Sequence, residues 1–472
     1  MKTTKFLNKA LLILSLVGLS SCTKKTTNAL KYCPIGGSSN PPSGDSTPIE
    51  PDTPTPDEHV HTFSSEWSFD ENYHWHQANC GHDVKDNYEA HTYDKNGNCI
   101  KCGFFDKLIF NLNADKQSFS VASSLYTESD GKVEITIPSQ YKGLPVTSIG
   151  ESAFQDNLNI IKIYLPNSVT RIENNAFARC KNLTEIYLSQ NLSYIGKFAF
   201  YVCESLTNVS LLNTVREIGE SAFAYCSKLE NINLPKEITR LPSNLFSNCT
   251  SLQKILIPDS VNFIGANLFS NCTNLTSAKL SNNIEFISSY CFSGCESLKE
   301  IKLPIGITSI GQYAFSRCLS LLSIDFPFGL ESINYGAFVN CIKLTNIIIP
   351  DSVKYIDGEC FAGCPSLNAV TLSNGISNLS EEVFSNCPNL NSILLTASNI
   401  NTVLENVFAK VNNLEFIYLR DSTIDQNCAF IKALNNNQLG LTNYGKIYCY
   451  SEHKPTTIGD YWHYVDGVIT IW

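Results

Sequence analysis

No histidine stands between Cys102 and His453. A serine or cysteine nucleophile served by a histidine base therefore cannot be assembled within that stretch. The chain also lacks a His-Glu-x-x-His pair, a phosphate-loop pattern and a Gly-x-Gly-x-x-Gly turn. No catalytic residue is expected. Charge is scarce as well: charged residues make up 17% of the chain, against roughly 25% in typical domains. The balance is acidic, with 34 Lys and Arg against 44 Asp and Glu and a net charge of −10. That argues against nucleic-acid binding through phosphate neutralisation. With 43% hydrophobic residues, disorder and a long charged coiled coil are excluded too. No stretch approaches the ~20 apolar residues of a membrane-spanning helix.

What is present is sharply zoned. Lys2, Lys5 and Lys9 precede the apolar run Leu11–Leu19, which leads into Leu19-Ser20-Ser21-Cys22. This has the form of a lipoprotein signal peptide over 1–22, with Cys22 as the lipidated residue of a bacterial lipobox. An ordinary secretory signal with an accidental Cys22 is the alternative. Residues 23–58 are rich in Pro, Ser and Thr, cannot bury a core, and read as a disordered tether. The membrane is reached only through the anchor.

Residues 59–104 gather most of the histidines. Cys80-x-His82 and Cys99-x-x-Cys102 supply four soft or borderline donors, the number that a structural zinc ion takes. In a segment with few aliphatic residues a metal can stand in for a core. A zinc-ribbon-like module with Cys80, His82, Cys99 and Cys102 as ligands is expected. A disulfide involving Cys99, Cys102 or Cys80, with the histidines as surface aromatics, is the competing reading.

A repeat dominates the rest. Phenylalanines recur every 23 residues from Phe154 to Phe384, and Phe408 follows after 24. Cysteine comes three residues after the Phe at positions 180, 203, 226, 249, 272, 295, 318, 341, 364 and 387, and Leu three further on. A period of this length means a solenoid. The Leu-x-x-Ile-x-Leu piece alternates as a strand, and stacked coils should align these strands into a parallel sheet. The phase of the cysteines argues for small buried hydrophobes rather than redox or metal chemistry: Cys291 and Cys360 even replace the Ala that precedes Phe elsewhere. The array spans 154–427, between an N-terminal cap over 105–153 and an aromatic C-terminal cap over 428–472.

These repeats resemble the leucine-rich repeat of the BspA-like bacterial surface proteins, from about Leu108 to the end. The resemblance implies a leucine-rich repeat solenoid with a parallel β-sheet on its concave face. It also implies a cell-surface adhesion role, with an extracellular protein or glycoprotein of host or neighbouring cells as partner. A structural envelope protein and a zinc-dependent hydrolase on a repeat scaffold are the alternatives. The Asn that usually follows the strand is missing from most copies, so the turns must satisfy their backbone differently. Outward strand positions form a column from Tyr187 to Tyr418. Ile348, Leu394, Phe416 and Tyr418 are expected there as an apolar partner-binding patch, unless the terminal cap folds over Phe416 and Tyr418.

Overall fold

A 23-residue period places the same residue types at the same height in every coil, and the computed structural model shows how each coil closes. It describes residues 61–69, 73–92, 99–102, 107–412, 414–441, 443–456, 459–466 and 468–472. Cys22, the signal segment and the tether lie outside the described residues. The chain forms two compact units, up to His91 and from Thr92 onward.

In the first unit, Ser68–Phe69, Tyr73–Gln77 and Lys85–Ala90 make a three-stranded antiparallel sheet. Phe63 bridges Ala78 at its margin.

The second unit is the solenoid, and each coil contributes to two parallel ladders. The first ladder is the expected one. Its strands include Ile160–Tyr164, Glu185–Tyr187, Asn208–Ser210 and Asn231–Asn233, paired in register. The second ladder was not expected: two-residue strands such as Arg171–Ile172, Tyr194–Ile195 and Glu217–Ile218. Two residues are too short for any alternation, so no pattern announces them.

Between the ladders lies the core. The Phe rings from Phe154 to Phe408 stack with centroids 5.1 to 6.1 Å apart, all but fully buried. Offset stacking at this spacing adds to the burial of each ring.

The turns answer the question raised by the missing Asn. Two residues per coil, two before and two after the Phe, adopt left-handed backbone: Asn175 (φ 56°) and Arg179 (φ 60°) around Phe177, for example. There each amide reaches the next coil, Asn175 N–H to Lys197 O at 2.9 Å and Arg179 N–H to Tyr201 O at 2.6 Å. The Phe177 amide donates likewise to Ala199 O. The turns thus form a third ladder. Its left-handed positions suit Asn and Gly, yet Phe198 and Val202 also occupy them.

The periodic thiols add a side-chain rung. Each Cys Sγ, from Cys180 to Cys387, donates to the carbonyl of the Phe in the preceding coil at 2.9 to 3.4 Å. All are free thiols and buried. Cys291 and Cys360 are buried as well.

The ends differ from the coils. Leu108–Leu112 and Phe119–Ser124 pair antiparallel, and the latter joins Leu144–Ile149 in the second ladder. At the other end a helix absent from the sequence reading, Ala429–Asn435, buries Phe430, Ile431, Ala433 and Leu434. The segment after it replaces a coil, since Phe408 N–H donates to Leu439 O. The first ladder then runs on through Phe416–Leu419, Lys446–Tyr450 and Tyr461–Val465 to the antiparallel strand Val468–Ile471.

Candidate functional site

The in-register strands set Ile348, Thr371, Leu394, Tyr418 and Tyr448 side by side. That is the expected outward column, but its apolar end does not face solvent. Leu394 is 3% exposed and Tyr418 9%. They pack with Tyr448 and Trp462 of the cap, and with the half-buried Phe416, Tyr450 and Ile469. Trp462 is fully buried, and its Nε1–H donates to Leu419 O at 2.8 Å. Adding cap strands to the ladder extends its apolar outer column, and Trp462 closes over it. Leu394, Phe416 and Tyr418 therefore belong to the cap's packing. Ile348 alone of the four is open, at 70% exposure.

The exposed apolar surface lies three coils earlier and was missed in the sequence. The turn after each first-ladder strand has a position held by Asn167, Gln190, Asn213, Lys236, Asp259, Asn282, Ile305, Phe328, Asp351 and Asn374. Four of its eight polar members have a structural task. Asn167, Asn213, Asp259 and Asp351 each accept, through Oδ1, the amide of the equivalent residue one coil on at 2.9 to 3.1 Å. Ile305 and Phe328 have no oxygen to offer, and they stand in adjacent coils. They are the two most exposed large hydrophobics of the described residues, at 81% and 87%. Aligning the repeats at this turn, rather than at the strand, would have found them.

The backbone differs at the same place. Residues 300–302 and 323–325 should carry first-ladder strands. Among the described residues the ladder lapses from Ser277–Lys279 to Asn346–Ile348. Over those coils the second ladder stays continuous from Phe286–Ile287 to Tyr355–Ile356. The result is a groove of about 1010 Å³ whose walls include Lys279, Lys302, Asp325, Ile305, Phe326 and Phe328. The lining mixes apolar side chains with the charged Lys279, Glu300, Lys302 and Asp325, a combination that a protein partner's surface can match.

The thiol ladder offers no comparable chemistry. Burial pushes the thiols of Cys180, Cys226, Cys272 and Cys387 up to about 12. It raises those of Cys203, Cys249, Cys295, Cys341 and Cys364 well above the usual range. The nucleophile and the metal ligand is the thiolate, which this environment suppresses.

Of the expected zinc ligands, Cys80 and His82 come together in the first unit, and His61, which the spacing argument did not choose, joins them. The donor atoms of the three lie within 4.8 Å of one another. Cys99, buried, and Cys102, half-buried, lie in the second unit. The four-residue set read from spacing thus draws on both units.

Comparison with known proteins agrees with this geometry in the solenoid. A leucine-rich repeat protein of Bacteroides ovatus is 24% identical over 73% of this chain and 99% of its own, with a TM-score of 0.54. The pneumococcal vaccine antigen PcpA is 22% identical over 72% of this chain and 96% of its own, with a TM-score of 0.51. At these identities the likeness concerns the fold alone. No curated protein matches the chain. The family described as "BspA type Leucine rich repeat region" matches in six copies, across residues 101–230, 194–322 and 308–437. With its Phe stack, thiol rungs and doubled ladders repeating through that same span, the chain belongs to the BspA-type leucine-rich repeat family.

Proposed function

We propose that this is a bacterial cell-surface recognition protein that binds an extracellular protein or glycoprotein through the groove at Ile305 and Phe328. One observation carries the reading: at a turn position that is polar in the eight other coils named, two adjacent coils place the most exposed apolar side chains described, Ile305 and Phe328. The core does not account for them, and exposed apolar clusters of this kind mark contact surfaces. On the outward strand column the groove's charged residues Lys279, Lys302 and Asp325 are flanked by exposed Leu256, at 59%, on one side and Ile348, at 70%, on the other. The protein acts by binding, not catalysis, and Cys22 with the tether holds it away from the membrane as a lipid-anchored display.

The test is affinity capture from host matrix and co-resident cells with the full chain, repeated with Ile305→Asp/Phe328→Asp. At such exposed positions stability should stay within ~0.5 kcal/mol of the parent. Affinity for the captured protein should fall at least ~10-fold, as it does when an interface anchor is removed. Unchanged affinity in the folded variant would move the contact off the groove. Concentration-dependent self-association with no captured ligand would favour the structural envelope reading.

A further inference from the structure

We propose that His61, Cys80 and His82 form a metal-binding centre for a zinc-class divalent ion. The centre stands apart from the groove and does not rest on the recognition reading.

Strand register builds the site. Phe63 bridges Ala78 antiparallel, and two further bonds extend that pairing, Ser64 N–H to Gln77 O at 2.9 Å and Asn79 N–H to Thr62 O at 2.8 Å. Continuing the antiparallel register two residues outward places His61 opposite Cys80. Beyond Cys80 the chain turns through Gly81, whose φ of +80° is left-handed. The turn is closed by Ala78 N–H to Val84 O at 3.1 Å. Glycine permits that reversal without a Cβ penalty, and it brings His82 back beside the thiol.

The distances match a coordination shell. His61 Nδ1 lies 3.0 Å and His82 Nδ1 3.6 Å from Cys80 Sγ. Zinc bonds of about 2.3 Å to sulfur and 2.0–2.1 Å to nitrogen, at tetrahedral angles, put sulfur and nitrogen roughly 3.6 Å apart. One pair sits at that value and the other is shorter by a shift a side chain easily makes. The His61 and His82 rings meet edge to face, centroids 5.3 Å apart, as rings do when both aim a nitrogen at one point. His61 is buried at 7% exposure while Cys80 and His82 are exposed. One ligand is thus held in advance and the open side gives the ion its way in.

Donor chemistry sets the class. One thiolate and two imidazoles suit zinc and its borderline neighbours and do not suit the hard, oxygen-seeking calcium or magnesium. Among the described residues three ligands meet there, and the fourth position that zinc takes falls to water or to another donor. The same unit shows a second edge of this kind: His74 and His91 hold their Nδ1 atoms 3.4 Å apart, near the roughly 3.3 Å separating two nitrogens on tetrahedral zinc.

Cobalt(II) taken up by the full, reduced chain is the probe, because a thiolate bound to cobalt gives a charge-transfer absorption. The background is Cys99→Ser/Cys102→Ser, which removes the other thiols of the module. In that background one cobalt should still bind through sulfur. Adding Cys80→Ser should abolish the sulfur signal. Adding His61→Gln instead should weaken binding at least ~10-fold, the loss seen even when an outer-shell partner is disturbed. Near-ultraviolet circular dichroism, to which Trp67 and Trp75 of the same unit contribute, verifies that the unit carrying the site is folded in each variant. The proposal is overturned if the background variant takes up no cobalt through sulfur, if the signal survives Cys80→Ser, or if His61→Gln binds as tightly. None of these outcomes bears on capture of a partner by the groove, which is read separately.

Discussion

The thiol ladder should make the solenoid sensitive to alkali, by an amount that follows from its burial. In the folded coils the thiols from Cys180 to Cys387 are raised to about 12 or well above the usual range. The unfolded chain releases those protons near pH 9. Above that pH the folded state holds more protons than the unfolded one, so stability falls as pH rises, until the folded-state value is reached. By pH 10 each such thiol costs on the order of 1 kcal/mol. Summed over the ladder, including Cys318, this is comparable to the whole stability of an ordinary domain, about 5–15 kcal/mol.

The perturbation is Cys226→Ala/Cys249→Ala/Cys272→Ala/Cys295→Ala in four neighbouring coils. At pH 7 the variant should be less stable, by about 1 kcal/mol per site for lost packing and the lost S–H bond to the preceding Phe carbonyl. As pH rises above about 9 its deficit should shrink and then reverse, because the alkaline cost of four buried thiols has gone. The two stability curves should cross on the alkaline side, between the unfolded-chain thiol value and the raised folded values. Circular dichroism during urea unfolding at each pH measures this, with thiolate ultraviolet absorbance recorded alongside. Absorbance should rise only as the coils unfold. A variant weaker at every pH, or thiolates that ionise while the ellipticity holds, would refute the reasoning.

Two further outcomes test the turns and the cap. Val202 is a β-branched residue with φ 58°, at a position that Asn248 and Asn271 fill in other coils, so Val202→Asn should stabilise by about 0.5–1 kcal/mol in urea unfolding; an unchanged or lower midpoint counts against strain there. Trp462→Ala should cost about 3–5 kcal/mol locally and open Leu394 and Tyr418, read as faster amide exchange from Ser392–Leu395 and Phe416–Leu419 than from the central coils; uniform exchange would mean that Trp462 does not seal that end.

Much of this molecule is legible in one dimension because a solenoid repeats the same local problem. A Phe every 23 residues can be buried only by stacking on its neighbours, so period alone determines the solenoid, the parallel strands and the burial of the cysteines. The cysteine phase determines that the thiols are rungs, since a residue that can stand where Ala stands must be small and enclosed. Tertiary structure decided the rest. Arg171–Ile172 and its equivalents are strands because adjacent coils pair there, and two residues hold no period. Leu394 and Tyr418 have the outward phase of a contact surface, but burial of an outward residue depends on what is added beside the ladder, here Tyr448 and Trp462. Ile305 and Phe328 break a polar turn position that the repeat alignment can show, but their exposure, at 81% and 87%, is decided by the folded coils. His61 joins Cys80 because an antiparallel register carries it across 19 positions, a relation that ligand spacing along the chain cannot express.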